Sequence, residues 1–433
     1  MLFRRLKYHL DLAKDQARRL STLGRINSII KARKLKKGLC QLHAHYAGLS
    51  ADRAIVYDEN SAWLEAQKRI ETRWQGRTIH PQMPLRIFWV GANRDQDESG
   101  FLQALRQHAQ VTEFYNHTGT YGQWYKDEHG RVQVYDPAII QLNDQQLLSQ
   151  LGSIRKNGGI DLLMGQMWAN YISQEALAEV QAMGIPVINI SMDDRLPDNW
   201  SHRSGVRLGA VGLAQHTDLV LTTSSETCAW YAVEGCPAIF WPLASDPSVF
   251  KPDADAPRDI DVLFIGNKYG IRAEIIDGLA QHGIQVECYG AGWPNGPATA
   301  EQSAALFKRA RIILGVGTVG YCDDVFTLKL RDFDAPMSGA LYLTHRSQDL
   351  LKLYQEGVEI ECYMTPDEAA VKIHYYLAHP QALESVAAAG HAMVLKRDTW
   401  LNRLHHTFLN LTLTRENTYR LQDPIVTIPE SNG

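Results

Sequence analysis

The stretch LKLRDFDAPMSGALYLT, residues 328–344, sets two cations, Lys329 and Arg331, ahead of a carboxylate, Asp334, and closes on Gly339 before a short apolar run. If residues 326–338 form a helix, the cations lie near its start and Asp334 about one turn on. A carboxylate accepts hydrogen bonds from a pair of neighbouring hydroxyls such as a ribose presents, and fixed cations suit phosphate. Small Ala335, Ser338 and Ala340 let the helix sit close to a sheet, and Gly339 ends it. The plainer alternative is an ion-paired helix start with a glycine cap. Upstream, FIGNKYGIRAE offers Gly266, Asn267, Gly270 and Arg272: a glycine turn, then a helix start with a guanidinium in its first turn, again fit for phosphate. An ordinary strand–helix turn has the same look. In CYGAGWPNG, Gly290 and Gly292 admit a ligand close to the backbone, and Trp293 either stacks on a base or covers the sheet edge. The GxGxxG dinucleotide fingerprint is absent from all these turns, which argues against a nicotinamide enzyme.

A second set lies earlier in the chain. NISMDDRLPDNW puts Asp193 and Asp194 just past an apolar run, where they can orient or deprotonate a hydroxyl, or simply stabilise the loop through Asx turns. YNHTGTYGQWY places His117 in a loop with Tyr121 and Trp124, a base or ring-stacking set on one reading and loop packing on the other. The nearest approach to a DxD-type metal motif is Cys322-Asp323-Asp324, so no metal site is expected.

These residues fall at the ends of short apolar segments, which fixes what must position them. Runs at Leu85–Val90, Val111–Tyr115, Asp161–Gly165, Pro186–Ser191 and Asp218–Ser224 alternate with helical stretches near 143–156, 173–183, 204–216 and 225–234. A proline- and acid-rich stretch, PLASDPSVFKPDADAPRDI, interrupts, and the alternation restarts at DVLFIGN, IQVECYG, RIILGVG, ALYLT and IECYMT. Strands alternating with helices predict parallel sheets covered on both faces, with ligands outside the carboxyl ends of the strands. Helices are expected from Thr299, with Gln302 completing a capping box, and from Thr365, with Pro366 at the first helical position and Glu368 closing the box.

Of the 433 residues 45% are hydrophobic and 21% charged, and the net charge is −4, an ordinary globular composition with no global signal for nucleic acid. Charge is uneven: residues 1–37 hold twelve Lys or Arg against Asp11 and Asp15. Leu2, Leu6, Leu10, Ala13, Ala17, Leu20 and Leu23 recur at helical spacing among them, so this region reads as a basic amphipathic helix. Such a helix suits an anionic bilayer or partner, or equally a packing contact on its own protein. No apolar run reaches the roughly 18 residues of a membrane span, and the N-terminus has no signal-type apolar core. The six cysteines have no CxxC spacing, so neither zinc nor a disulfide framework is expected, and a cytoplasmic setting, with possible attachment to a membrane face, fits.

The stretch from Leu328 to Pro380 resembles the C-terminal domain of group 1 (GT-B) glycosyltransferases, most of all the CgeB-like, spore-maturation branch. Phe333, Asp334, Ala335 and Gly339 match its Phe-Glu-Ala-x-x-x-Gly motif. Asp349, Leu350, Tyr354 and Gly357 continue the pattern, and Tyr376, Leu377, His379 and Pro380 close it. The likeness is good over about 260–410 and fainter over 85–250, where CPAIFWPLASDPSVFKP looks like the family's crossover between domains. The resemblance implies two Rossmann-like, doubly wound domains facing a cleft. The expected division is a basic helical extension at 1–80, an acceptor domain at 81–243, a linker at 244–258, a nucleotide-sugar domain at 259–410 and a tail at 411–433. It implies a glycosyltransferase moving a sugar from a nucleotide-diphospho-sugar to a glycan, lipid-linked or protein acceptor. A sugar-nucleotide epimerase and a non-catalytic sugar-binding protein are the alternatives on the same fold. The nucleotide-sugar would meet Gly266, Asn267, Arg272, Gly290, Gly292, Trp293, Lys329, Arg331, Asp334 and Gly339, with cations rather than a divalent metal on the diphosphate. Asp193, Asp194 and His117 would serve the acceptor. The family acid is usually Glu, one methylene longer than Asp334. Phe326 stands where retaining members often carry a second Glu, which leaves the stereochemical outcome open.

Overall fold

A computed structural model describes residues 22–76, 84–127, 132, 135–156, 159–203 and 205–413. Two parallel sheets dominate it. The first has six strands in the order β2 (Ala109–Glu113), β1 (Leu85–Val90), β3 (Leu162–Gly165), β4 (Val187–Ser191), β7 (Leu219–Thr222) and β8 (Ala238–Phe240). The second has five, β10 (Glu287–Tyr289), β9 (Ile260–Ile265), β11 (Ala310–Leu314), β12 (Leu341–His345) and β13 (Glu361–Tyr363). The central strands β3, β4, β7 and β12 are buried at every residue, which is why they read as continuous apolar runs and not as alternating ones. The three-residue strand β8 had no sequence signal of its own, being pinned between Pro237 and Pro242.

The helices obey their local signals. Helix α9 (Ala300–Arg309) opens on a complete Thr299–Gln302 capping box. Helix α12 (Pro366–Ala378) opens on Thr365, whose hydroxyl takes the Glu368 N–H, while the Glu368 carboxylate takes the Met364 N–H. Helix α10 is shorter than expected, Arg331–Met337 and not 326–338. The Lys329 N–H donates to Asp332 Oδ2 at 2.7 Å, which sets the start of the helix, and Thr318 pairs with Phe326 in the preceding loop. The segment 204–216 is likewise not one helix. A two-stranded hairpin, β5 (His202–Arg203) with β6 (Val206–Arg207), precedes a 3₁₀ helix at Ala210–His216.

The described part of the expected basic helical extension is not set apart from the first domain. Residues 1–21, with most of the proposed leucine stripe, lie outside the described residues. Helices α1 (Thr22–Asp52) and α2 (Glu59–Trp74) are present and pack on the first domain: Leu39 and Tyr46 enter its core, and Trp74 Nε1 donates to Asp161 O at 2.9 Å. The chain also returns. Ser245 N–H donates to Asp398 O at 2.9 Å, and helix α14 (Trp400–Asn410) comes back to the first domain. There Thr407 Oγ1 accepts from Trp241 Nε1 at 2.8 Å, and Trp400 packs edge-on against Phe101 of α4 (Phe101–His108). One apolar core consequently runs through both domains across this crossover.

Candidate active site

The carboxyl ends of the two sheets face each other, and polar contacts cross between them. Lys329 Nζ lies 3.2 Å from Asp193 Oδ1, so two residues singled out separately in the sequence meet across the cleft. Asp193 sits at φ +59°, a left-handed conformation that a non-glycine residue adopts only when its surroundings hold it there. Arg195 Nη1 donates to Phe326 O at 3.1 Å, and Ser225 Oγ donates to Asp349 Oδ1 at 2.5 Å. Where Leu330 meets the first domain, a cavity of about 10 Å³, room for about one water, is bounded by Gln96, Asp97, Gln166, Met192, Trp241 and Leu330.

Behind Leu330 two guanidiniums converge. Arg331, first residue of α10, donates from Nε to Ile265 O at 2.9 Å, at the end of β9. Arg272, first residue of α8 (Arg272–Gln281), donates from Nη1 to Asn267 O at 2.8 Å. Both cations lie over the Phe264 ring, Arg331 at 4.8 Å and Arg272 at 5.6 Å. A Cβ built on Gly266 would come 2.6 Å from Arg331 Nη2 and 3.1 Å from Arg272 Nη1, so a side chain there would displace the guanidiniums from this niche. Neither has a carboxylate partner among the described residues, and Arg272 Nε and Arg331 Nη1 are buried with no hydrogen-bond acceptor. Burial, followed by the positive charge of Arg331, lowers the Arg272 guanidinium to about 10. Arg272 is buried and Arg331 half-buried, and a buried ion left without its partner costs ~3–5 kcal/mol. The arrangement supplies what a bound dianion would satisfy.

Asp334 lies on the same helix, where the crossover packs against it. Its Oδ1 accepts from Ser245 Oγ at 2.7 Å, and burial raises its carboxyl to about 8 against the opposing pull of Ser245 and Arg331. The acid is half-buried at the domain joint.

Other sequence candidates separate into loop architecture. Asp194 is buried, accepting from Ser191 Oγ (2.5 Å), Thr222 Oγ1 (2.7 Å) and Tyr231 OH (3.1 Å). With its lone pairs so engaged it holds the β4 and β7 loops together, and the catalytic role expected for it is withdrawn. Trp293 is buried edge-on against Phe264, its Nε1 donates to Gly266 O at 2.8 Å, and Lys268 Nζ covers its ring at 4.5 Å; it cannot stack on a base. Asn267 Oδ1 is taken by the Ala291 N–H at 3.0 Å. Gly290, at φ +134°, lets that strand end approach Gly266 O, where a Cβ would sit at 2.3 Å, and Gly292 turns the chain at φ +90°. Gly339 is at the opposite, amino end of β12, against Pro252, with its carbonyl accepting from Arg258 at 2.9 Å; it caps a helix and contacts no site. His117 bonds Asn143 Oδ1 through Nδ1 at 3.2 Å and packs on Tyr125, contacts internal to the first domain.

Asp97 was not anticipated. It lies in the loop helix α3 (Arg94–Asp97) beneath Gly91, and its Oδ2 accepts from Tyr121 OH at 2.6 Å. Its Oδ1 is buried with no hydrogen-bond partner, and burial raises the carboxyl to about 6. The sequence ANRDQDESG looks like a solvated turn; only the fold brings Trp89 and Tyr121 around it. Among the described residues, Cys322, Asp323 and Asp324 bring ligand atoms within 4.8 Å of one another, but Asp324 is ion-paired with Lys36 and burial pushes the Cys322 thiol up to about 11.

A family model described as glycosyl transferase-like matches residues 272–408, from the start of α8 into α14, and so takes in Arg272, Arg331 and Asp334. No curated protein sequence matches the chain significantly. Among solved structures, Anabaena HepE in complex with UDP and glucose superposes with a TM-score of 0.54 at 14% identity, over 76% of this chain and 100% of that one. HepE in complex with UDP-glucose gives 0.53 at 12%, over 76% and 99%. Sucrose-phosphate synthase from Thermosynechococcus elongatus gives 0.52 at 13%, over 77% and 99%. At such identities the likeness is one of fold: two α/β domains with parallel sheets, the GT-B arrangement.

Proposed function

We propose that this chain is a glycosyltransferase of the CgeB-like type, transferring a sugar from a nucleotide-diphospho-sugar to a glycan, lipid-linked or protein acceptor in the cleft between its two domains. The observation that carries this reading is the Arg272–Arg331 pair at Gly266, Arg272 buried, Arg331 half-buried, and neither in an ion pair among the described residues. A diphosphate fits that niche, and the HepE structures, which hold UDP and UDP-glucose, supply the chemical class to test first. On this reading the acceptor oxygen bonds to the anomeric carbon. The carbon–oxygen bond to the diphosphate breaks, and its electron pair leaves on the phosphate oxygen facing the two guanidiniums. The acceptor proton passes to a carboxylate on the first domain. Asp97, raised to about 6 and lining the one-water cavity beside Leu330, suits that role better than Asp193, which is held by Lys329. Lys329 swings from Asp193 to the diphosphate, and Asp334 takes the ribose hydroxyls. The charge on the diphosphate is met by guanidinium and ammonium groups, so no divalent metal is required. The enzyme works on the cytoplasmic side, held at the membrane surface by its basic N-terminal region.

The test is calorimetric titration of UDP, GDP, dTDP and CMP, with their sugar conjugates, into wild type, Arg272→Ala, Arg331→Ala and Gly266→Ala. One nucleotide should bind wild type, and each variant should weaken it by about tenfold or more, the effect of losing a hydrogen bond to a charged group. Variants that bind as wild type does would overturn the assignment. Donor consumption should require an added acceptor; consumption without one would indicate an epimerase, and binding without turnover a non-catalytic sugar-binding protein.

A further inference from the structure

Away from the cleft, the first domain holds a cavity of about 740 Å³, well inside the roughly 300–1,000 Å³ of small-ligand sites. It opens to solvent and is bordered by the start of helix α5 (Pro137–Lys156), the connection from β3 into α6 (Gln174–Ala182), the β5–β6 hairpin and the 3₁₀ helix at Ala210–His216. None of the cross-cleft residues, Asp193, Arg195, Ser225 or Lys329, lines it.

Its polar lining includes Asp144, Gln174, Glu175, Arg207, Gln215 and Glu234, with Tyr135, set among apolar Ile140 and Val211. The one guanidinium is already spent: Arg207 grips Glu234 with Nη1–Oε2 at 2.5 Å and Nη2–Oε1 at 2.7 Å, and Tyr46 OH donates to the same carboxylate at 2.6 Å. What remains charged is acidic, Asp144 and Glu175, so a phosphate or other anion is disfavoured. Asp144 is fixed in place by the Ser173 N–H at 3.0 Å, and Gln174 Nε2 reaches Glu175 Oε1 at 3.4 Å. Carboxylates and planar amides together present the paired donors and acceptors that vicinal hydroxyls satisfy. The apolar residues between them suit the C–H faces of a pyranose, and Tyr135 offers an aromatic wall. Tyr135 is held at φ +57° by its N–H to Asn170 O, with the Arg203 guanidinium 5.2 Å from its ring centroid. A purely apolar ligand would leave the carboxylates desolvated without partners.

We propose that this cavity binds a neutral oligosaccharide. It is a second carbohydrate site, separate from the cleft and linked to it by the continuous segment 193–207, which begins at Asp193 and ends in the hairpin that lines the cavity. A glycan chain anchored here would be held on the same domain as Asp97. The proposal does not depend on the donor reading, because no residue of the nucleotide niche takes part.

The experiment uses the full chain. An array of neutral oligosaccharides of gluco, galacto, manno and N-acetylhexosamine type is screened, and each hit is titrated by calorimetry against wild type, Val206→Trp and Gln215→Leu. Both positions line the cavity and are solvent-exposed, so the substitutions leave the core alone. At least one neutral glycan should bind, and both variants should weaken it by about tenfold or more. The affinity for UDP or whichever nucleotide binds should stay unchanged, which separates this test from that of the donor site. No binding across the array, binding indifferent to Val206→Trp, or displacement of the hit by inorganic phosphate or hexalysine would overturn the proposal.

Discussion

Asp334 shows how one buried carboxyl couples ligand binding to pH. Burial holds it at about 8 in the folded chain, against ~3.9 when unfolded. The folded state therefore binds the extra proton between those values. Its stabilising contribution is complete below the unfolded value and is lost as pH rises to about 8. Asp334→Asn should melt higher than wild type above that pH and show a flatter stability profile, read by thermal unfolding across pH. Ribose hydroxyls need the ionised form, so nucleotide affinity of wild type should climb as pH approaches 8. Asp334→Asn should lose that climb and bind about tenfold to a hundredfold more weakly at high pH, for a loss of roughly 1.5–3 kcal/mol. A 2′,3′-dideoxy nucleotide should abolish the difference; identical pH profiles for both proteins would reduce Asp334 to a joint between helix and crossover. Asp97 and Asp194 are both raised to about 6 by burial, yet their partners assign them opposite duties. Asp97→Asn should cut turnover by about 10²–10⁴-fold and remove the rise in rate through about pH 6 without changing nucleotide affinity. Asp194→Ala should instead strand the hydroxyls of Ser191, Thr222 and Tyr231, at roughly 1–3 kcal/mol each, and show as lost stability to urea. The sequence displayed the cations and acids at useful spacing around 329–334, because Arg331 and Asp334 share one short helix and Lys329 lies in the turn that leads into it. It could not rank Asp97 above Asp194, since the rank depends on Trp89, Tyr121, Thr222 and Tyr231, which only the fold assembles.

At the scale of elements, α10 carries an internal proline and still holds Arg331 and Asp334 in place. Pro336 has no N–H to offer the carbonyl of Asp332 one turn earlier. Tyr354 OH donates to that carbonyl at 2.8 Å, and Tyr342 OH donates to the Asp332 carboxylate at 2.6 Å. The helix is thus completed by side chains from outside it. Tyr354→Phe should leave the buried carbonyl unpaired, costing about 1–3 kcal/mol of stability. Nucleotide affinity should fall with it as Arg331 and Asp334 lose their fixed spacing. Unchanged urea midpoints would mean that water replaces the hydroxyl at no cost. Most of the regular elements were legible: buried parallel strands make unbroken apolar runs, and the Thr299 and Thr365 starts carry their own caps. The short α10, the hairpin at 202–207 and strand β8 were not. Their limits come from Asp332 capping Lys329, from Gly205 at φ +83° in the hairpin, and from two prolines around three residues. Each is a tertiary or turn constraint that overrides the helical look of the segment.

For the whole molecule, the division into two α/β units was written in the proline-rich stretch between them, but the return of α14 to the first domain was not. An amphipathic pattern tells which face is buried and is silent on which domain receives it. Helix α1 makes the same point with two stripes. Leu35, Leu39, Leu42, Tyr46 and Leu49 face the first domain. Ile26, Ile29 and Ile30 are about half exposed, at 49, 51 and 58%, and Arg33, Lys34 and Lys37 are exposed nearby. Exposed isoleucines beside several cations match an anionic bilayer, where each Lys or Arg near the surface contributes about 1 kcal/mol and the apolar residues insert at the interface. No helix among the described residues is long and apolar enough to cross a membrane, so any attachment through α1 is to the surface. The full chain should therefore co-sediment with phosphatidylglycerol vesicles, not with phosphatidylcholine ones, and release as salt rises past the range where a Debye length of roughly 10 Å applies. Lys34→Glu with Lys37→Glu should weaken binding by more than about a hundredfold on that scale, and Ile26→Ser with Ile30→Ser should weaken it independently of salt. Donor consumption in solution should survive both changes, because neither touches the niche at Gly266. If the charge-reversed chain binds vesicles as wild type does, the basic stripe serves a protein contact, and the first place to look is its own second domain, where Lys36 already pairs with Asp324 and Lys31 lies over Tyr321.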